Sequence, residues 1–334
     1  MLSKKAISPC TNTMKKAFPF DMPQMLITLL SVISIAIIAF IFLFVFSKAW
    51  PVFQHNGLSY FISGGFDKQI SDAFYSSADD PSLSFGMLGL ILGTLLTTTF
   101  SLIIAGLMGV GASIFICEYT SGPVSQILLA LVRLLASIPS VIFGLIGIVT
   151  VVPVVEKLLI TIDMQIAYIP YFQMTGKNML SAIIVLTFMI VPTVISLSAD
   201  AIKAVPPVYK EIGYSFGMRH FRVVYKIILP SARSGIIAGL ILAAGRGIGE
   251  SIAVSMVCGG LGIIPKAGFG FINFLAPTLP LAPAIINKSE AMGSMPVEAA
   301  LFSCGATLLV IGAFLSIGAG VVQKQLRKAA GYHD

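Results

Sequence analysis

The chain has 334 residues, 57% of them hydrophobic and only 10% charged, with a mean hydropathy of +0.96. A water-soluble domain needs a charged surface around its core, so this composition excludes one and places the chain in a lipid bilayer. The net charge of +7, from 21 basic and 14 acidic residues, does not indicate nucleic acid binding, because in a membrane protein the placement of Lys and Arg matters more than their sum.

A membrane span needs roughly 20 apolar residues to cross about 30 Å of hydrocarbon. Uncharged gaps between ionisable residues mark five such spans, at 22–47, 86–117, 134–155, 178–199 and 299–323. A sixth, 234–257, is equally apolar apart from Arg246 and Glu250. The predicted fold is therefore all-α and integral to the membrane, with six transmembrane helices. The expected divisions are a tail at 1–21, a first helix at 22–47, a loop at 48–85, a helical body at 86–325 and a tail at 326–334. The first span follows Lys4, Lys5, Lys15 and Lys16, but its apolar run is too long for a signal peptide and no small-x-small cleavage site follows, so it is expected to be retained.

Sorted by alternate loops, thirteen Lys and Arg fall in the N-terminal tail, the 200–233 segment and the C-terminal tail. Six lie opposite: Lys48, Lys68, Lys157, Lys177, Lys266 and Lys288. Only Arg133 and Arg246 lie within spans. The positive-inside rule then predicts both termini and the 200–233 segment in the cytoplasm. The outer segments 48–85, 156–177 and 258–298 are longer; the first holds Asp67, Asp72, Asp79 and Asp80, the last Pro265, Pro277, Pro280, Pro283 and Pro296. They are expected to be connecting loops that shape an outer vestibule, with short re-entrant or surface helices as the alternative.

Within the spans, Gly89-xxx-Gly93, Gly235-xxx-Gly239 and Gly245-xxx-Gly249 are patterns that let helices approach closely in lipid. Pro139 and Pro192 remove backbone hydrogen bonds and permit kinks; a kink near Ser137 and Ser140 forms either part of a gate or an ordinary bend. Cys10, Cys117, Cys258 and Cys304 are far apart with no Cys-x-x-Cys pair, so they read as small apolar fillers rather than a disulfide framework or a metal site.

Segment 201–233 is too polar to enter lipid and is bracketed by Pro206, Pro207 and Pro230. In it Glu211, Ile212, Gly213, Gly217, Ile227, Leu229 and Pro230 stand at a fixed spacing. This resembles the EAA loop of ABC importer permeases: Glu-Ala-Ala, Gly six residues after the Glu, then Ile-x-Leu-Pro, with both alanines replaced here by Ile212 and Gly213. A transporter driven by a soluble ATPase needs a rigid part that projects from the membrane, and a short helix ended by glycine fits that need. Glu211 is expected near the helix start, where the dipole favours it, and Gly217 in a left-handed turn. Arg219, His220 and Arg222 are expected on a solvated or ATPase-facing turn; the plain alternative is an ordinary basic inside loop. The Gly-x-x-x-x-Gly-Lys-Ser/Thr phosphate loop is absent, and the run at 245–250 lacks both its spacing and its lysine. The chain is thus expected to be non-catalytic and to bind no cofactor or metal, with ATP and magnesium held by a separate ATPase subunit.

On a straight helix Arg246 would stand roughly 17 to 18 Å from either end of the 234–257 span. An arginine there costs about 2.5 to 3.5 kcal/mol on insertion scales and must face protein or an aqueous path. Glu250 would lie one turn later on the same face, so the two form either a structural ion pair or an oxyanion station. A guanidinium presents a planar fork to a tetrahedral oxyanion, while the carboxylate accepts a proton from an anion that still carries an OH. Hydrogen phosphate meets both conditions, and sulfate at neutral pH only the first.

Ala136-Ser137-Ile138-Pro139-Ser140-Val141-Ile142-Phe143-Gly144 and Gly245-Arg246-Gly247-Ile248-Gly249-Glu250-Ser251-Ile252-Ala253-Val254 resemble the phosphate-specific (Pst-type) ABC importer permeases, and the C-type subunit more than the A-type. With the EAA loop, the resemblance covers about residues 85 to 325. It implies a type I (MetI-like) importer permease fold with a cytoplasmic coupling helix. It also implies a sister permease (PstA-like), an ATPase dimer (PstB-like), an extracytoplasmic phosphate-binding protein (PstS-like) and phosphate as the transported substrate. Arg246 and Glu250 match the positions the family associates with transport. Arg133 departs from the family, where a carboxylate is expected; it either snorkels toward the cytoplasm or faces the pathway as a second cation. The alternatives are an ABC permease for sulfate, molybdate or phosphonate, and, from another class, an ATP-independent channel, a secondary transporter or a membrane anchor.

Overall fold

The computed structural model describes residues 22–75, 83–120 and 122–329. The tail 1–21 with its four lysines and Cys10, together with Asp79, Asp80 and residues 330–334, lies outside them. Among the described residues six helices are long and apolar enough to cross a membrane: Gln24–Asn56, Leu88–Tyr119, Ser140–Leu159, Met179–Lys203, His220–Gly249 and Met295–Val322. The count is the expected one, but several boundaries move.

The chain divides into two compact units, 1–44 and 45–334. In the first, the start of helix α1 (Met22–Asn56) is apolar all round, with Leu26, Ile35, Phe40 and Leu43 exposed, as a helix surrounded by lipid requires. Helix α1 runs on past residue 47 through Trp50 and Pro51. Lys48 does not stop it, because its ammonium meets Glu298 at 2.9 Å.

In the second unit, the expected loop 48–85 instead folds into α2 (Ser59–Ile62) and α3 (Phe66–Phe74). Tyr60 of α2 is buried and its hydroxyl lies 3.0 Å from that of Thr307; burial pushes this phenol far above its ordinary pKa, so it stays a neutral hydrogen-bonding group. Helix α4 (Leu88–Ile114) shows why the bundle holds in lipid. Its buried stripe is small or hydroxylated, with Gly93, Thr97, Ser101, Ala105 and Gly109 among its members, while Phe100, Ile103, Leu107 and Met108 face outward. Large apolar residues gain nothing by leaving lipid for protein, whereas small ones let backbones close up. Ser101 donates to the carbonyl of Ile183 (3.0 Å) on α9 (Met179–Lys203), and a Cβ on Gly109 would sit 2.7 Å from Val194 Cγ1. Asn178 caps α9 by accepting from Ser181 N at 2.9 Å.

The expected third span, 134–155, is not one helix. Helix α5 (Gly122–Ala136) ends before Ser137, and the chain restarts as α6 (Ser140–Ile146), a wide π turn (Gly147–Val151) and α7 (Val152–Leu159). Pro139 is therefore a boundary, not a kink inside a span: at φ −56°, ψ 138° it stands in extended backbone before α6, where its missing N–H leaves no gap in the helical ladder. Pro192 does lie inside its span, α9.

After α8 (Ile162–Tyr168) and α9, the connecting segment forms α10 (Pro207–Ser215) and α11 (His220–Val223). Through a wide turn at Val224–Ile228 the chain then enters α12 (Leu229–Gly249). The expected span 234–257 is broken at Glu250 and Ser251, and a separate short helix, α13 (Ile252–Val257), follows. The 258–298 segment carries α14 (Ile272–Leu275) and α15 (Leu281–Asn287) before α16 (Met295–Ala329). It is not a surface loop. Thr278, Leu279 and Leu281 are buried, Leu281 N donates to Thr94 of α4 (2.9 Å), and Asp67 of α3 ties the segment down through Gly262 N (2.6 Å) and Lys288 (2.7 Å). Cys258 and Cys304 are buried and Cys117 half-buried.

Two of the three glycine pairs are close-packing sites. Gly93 abuts Thr278, while Gly235 and Gly239 abut Ala201 and Leu197 of α9; Gly249 has open space around its missing Cβ. Gly239→Val, whose Cβ would already stand 2.9 Å from that of Leu197, is expected to cost about 1 to 3 kcal/mol by overpacking. It should lower the melting temperature in detergent, and Gly249→Ala should shift it far less.

Candidate functional site

Two regions gather the polar chemistry. The first is the elbow formed by α10 and α11. Pro206 is extended and Pro207 opens α10, where a missing N–H is harmless. The helix ends in a Schellman turn: Gly217 is left-handed (φ +68°), Met218 N donates to Gly213 O (3.2 Å) and Gly217 N to Tyr214 O (2.9 Å). Gly213 is buried at the elbow's inner contact, since a Cβ there would be 2.8 Å from Ile227 Cδ1 and 3.0 Å from Val223 Cγ2. Ile227 lies within the wide turn, and Leu229 and Pro230 begin α12. Glu211 is the fifth of the nine residues of α10 rather than near its start, so the helix dipole does not explain it. It is exposed, and its carboxylate has no partner among the described residues.

The inward side of the elbow was not legible in the sequence. Glu118, in the wide turn that ends the α4 span (Phe115–Tyr119), has a side chain only 3% exposed and receives Lys210 Nζ on both carboxylate oxygens, at 2.7 and 2.9 Å. His220, expected on a solvated turn, instead points inward. Its Nε2 lies 3.0 Å from the Glu118 carbonyl, which only accepts, so Nε2 carries the hydrogen; in the neutral ring Nδ1 then accepts from Tyr214 Oη at 2.6 Å. Removing Lys210 would leave the buried Glu118 carboxylate without its counter-charge. Arg219 and Arg222 remain exposed, as do Val208, Ile212, Phe216 (81% exposed) and Phe221, which give the outer side of the elbow an apolar, aromatic surface.

The second region is the end of α12. Arg246 lies in its last turn, not midway along a straight helix, and its Nη1 donates to Thr193 Oγ1 of α9 at 2.7 Å. It lines a cavity of about 740 Å³ between α9, α12 and α16, together with Thr193, Leu242, Leu315 and Ser316. Glu250 is not on the same helical face. The helix ends between the two residues, and Glu250 Oε1 accepts from Ala253 N (3.1 Å), capping α13. Arg246 and Glu250 form no ion pair among the described residues. A second cavity, of about 620 Å³, is lined by apolar residues such as Met108, Phe143, Phe188 and Val191 and offers no charged group.

The two motif segments meet in space. Helix α6 packs on α13, and a Cβ on Gly144 would reach 3.0 Å from Ala253 Cα. Ser137 Oγ donates to Leu134 O (2.7 Å), closing the end of α5, and Ser140 opens α6. Arg133 is paired with Asp200 at 2.9 Å, both side chains more than half exposed. Such an exposed pair contributes about 1 kcal/mol at most.

Six spans and a projecting, proline-started elbow define a membrane-spanning transport subunit. Residues 105–328 match the family described as binding-protein-dependent transport system inner membrane component, and the chain belongs to that family. It is 28% identical to the probable ABC transporter permease protein YqgH of Bacillus subtilis, over 86% of this chain and 85% of that one. It is 30% identical to the phosphate transport system permease protein PstC of Mesorhizobium japonicum, over 80% and 78%. With the PstC 2 protein of Mycobacterium tuberculosis it shares 32% identity over 68% of each chain. Among solved structures it is similar to a chain of a bacterial alginate ABC transporter in complex with an alginate-pentasaccharide-bound periplasmic protein (TM-score 0.51, 16% identity, 90% of this chain and 95% of that one). It is likewise similar to a chain of the inward-facing MetNI methionine ABC transporter (TM-score 0.51, 14% identity, 72% and 97%). At these identities the likeness is one of fold.

Gly217→Val would force a branched residue into the left-handed region, at about 1 to 3 kcal/mol. Hydrogen exchange at the amides of residues 217 and 218 should accelerate accordingly, whereas Glu211→Gln, which breaks no contact among the described residues, should leave exchange there unchanged.

Proposed function

We propose that this chain is the PstC-like permease subunit of an ATP-driven inorganic phosphate importer in the cell inner membrane, with both termini and the elbow in the cytoplasm. Arg246 carries the reading. Thr193 occupies one guanidinium N–H, and the remaining donors stand beside a cavity large enough for a tetrahedral oxyanion. Hydrogen phosphate accepts from these donors. Glu250 does not line that cavity; from the break after α12, the oxygen that does not cap α13 turns toward the anion and accepts the P–OH hydrogen, a bond that fully ionised sulfate cannot supply. Relatives named as phosphate transport permeases align over most of this chain, which supports the same substrate.

The chain supplies one half of the pathway and a PstA-like sister permease the other. A PstB-like ATPase dimer binds and hydrolyses ATP with magnesium, and a PstS-like protein delivers phosphate from outside. The exposed Glu211 and the aromatic surface around Phe216 meet the ATPase, with Gly213, Gly217, Ile227, Leu229 and Pro230 fixing the elbow's shape. Ser137, Pro139 and Ser140 form the joint between α5 and α6, where a gate can bend.

The test is ATP-dependent phosphate uptake into vesicles that hold the whole assembly. Arg246→Ala should lower the initial rate about 100-fold, the scale expected when one partner of a desolvated charged contact is truncated. Glu250→Gln should likewise lower uptake strongly, with assembly intact in both variants and no competition from excess sulfate against the unmodified protein. Unchanged uptake in both variants would remove the site.

A further inference from the structure

The contact between Lys210 and Glu118 is more than is needed to seat a short helix. Helix α10 is already held by the chain at both ends and by Gly213 against Val223 and Ile227. Lys210 adds a third attachment to a different span: one ammonium bridges both oxygens of a carboxylate that is 3% exposed, and His220 grips the backbone carbonyl of the same residue. Lys210 also adjoins Glu211, so neighbouring residues of α10 anchor it inward and present an unpartnered carboxylate outward. From Glu118 the path continues along α4, whose Gly109 lies against Val194 of α9. Val194 follows Thr193, the residue that holds Arg246. A closely packed row of contacts therefore links the elbow to the guanidinium.

We infer that the Lys210–Glu118 ion pair is a strut that delivers movement of α10 to α4 and, through α9, to the setting of Arg246. Both are positioning residues; neither touches the anion. The inference rests on the reading of α10 as the part that meets an ATPase, and it concerns how motion enters the bundle rather than what is carried. Lysine suits the role because a compact ammonium between two oxygens resists displacement in any direction, and because the buried carboxylate has no other cationic partner among the described residues.

The experiment uses the complete assembly in vesicles, with ATP hydrolysis, phosphate uptake and the amount of bound ATPase measured on the same sample. Lys210→Met is expected to keep the ATPase bound and hydrolysing while phosphate imported per ATP falls about tenfold. Lys210→Arg should retain most of the coupling, and the exchange Glu118→Lys with Lys210→Glu should recover it relative to either single change. A normal ratio in Lys210→Met, or an exchanged pair as uncoupled as the singles, overturns the strut; so does loss of the ATPase from every variant, which marks the pair as scaffolding. If the unmodified assembly imports no phosphate, the substrate reading fails, and spin labels at Ser215→Cys and Leu107→Cys decide the strut separately. Their separation should stay constant on adding ATP and change in Lys210→Met; the same response in both would contradict it.

Discussion

An arginine at the end of an apolar helix persists only where something other than lipid receives its charge. In this chain that requirement is met by one hydroxyl, Thr193, and one cavity, and much of the surrounding geometry follows from it. The helix that carries Arg246 stops three residues later at Gly249, and the chain turns through Glu250 and Ser251 into α13. Backbone amides exposed by such a break have no water to turn to in hydrocarbon, so the Glu250 carboxylate takes one of them. Helix α13 then packs on α6, which starts at its own break, after Pro139. Two interrupted spans thus lean on each other, one of them beginning just after the helix that carries Arg246.

The rest of the bundle obeys the same solvent logic. The interior face of α4 is lined mainly by Gly, Ala, Ser and Thr, while Ile103, Leu107 and Phe100 stand outside; α9, the central helix, buries Ile, Leu, Val and Met as well as Ser and Ala. Several hydroxyls that would be costly alone in lipid are paired with carbonyls across helices or within them, as Ser101 is with Ile183 and Thr187 with its own helix, whereas those of Ser198 on α9 and of Thr278 are buried without a partner among the described residues. Polar segments that cannot be dissolved in lipid are tied by charge instead: Asp67 secures the inserted 258–287 stretch, Lys48 meets Glu298, and Glu118 secures the elbow.

Much of this was legible in the sequence. The number of spans follows from charge-free length, and the elbow from its Glu, Gly and Ile-x-Leu-Pro register; Gly217 adopts the left-handed turn that its position suggests. What hydropathy could not locate were interruptions. Residues 134–139 and 252–257 are as apolar as their neighbours, so only proline geometry and the cap supplied by Glu250 reveal the ends. The assumption of a straight helix placed Arg246 and Glu250 on one face, and a single turn of broken backbone separates them. Glu118 was a solitary acid after a long apolar run, a usable signal, but its partner lies 92 residues away and no local rule joins them.

The most direct measurement is a high-resolution map of the whole assembly, determined with phosphate and with ATP hydrolysis blocked. The account predicts tetrahedral density within about 3 Å of the Arg246 guanidinium nitrogens, the distance of a charge-assisted hydrogen bond. A map in which Arg246 is sealed from every aqueous path, with the anion bound along a different wall, would contradict it.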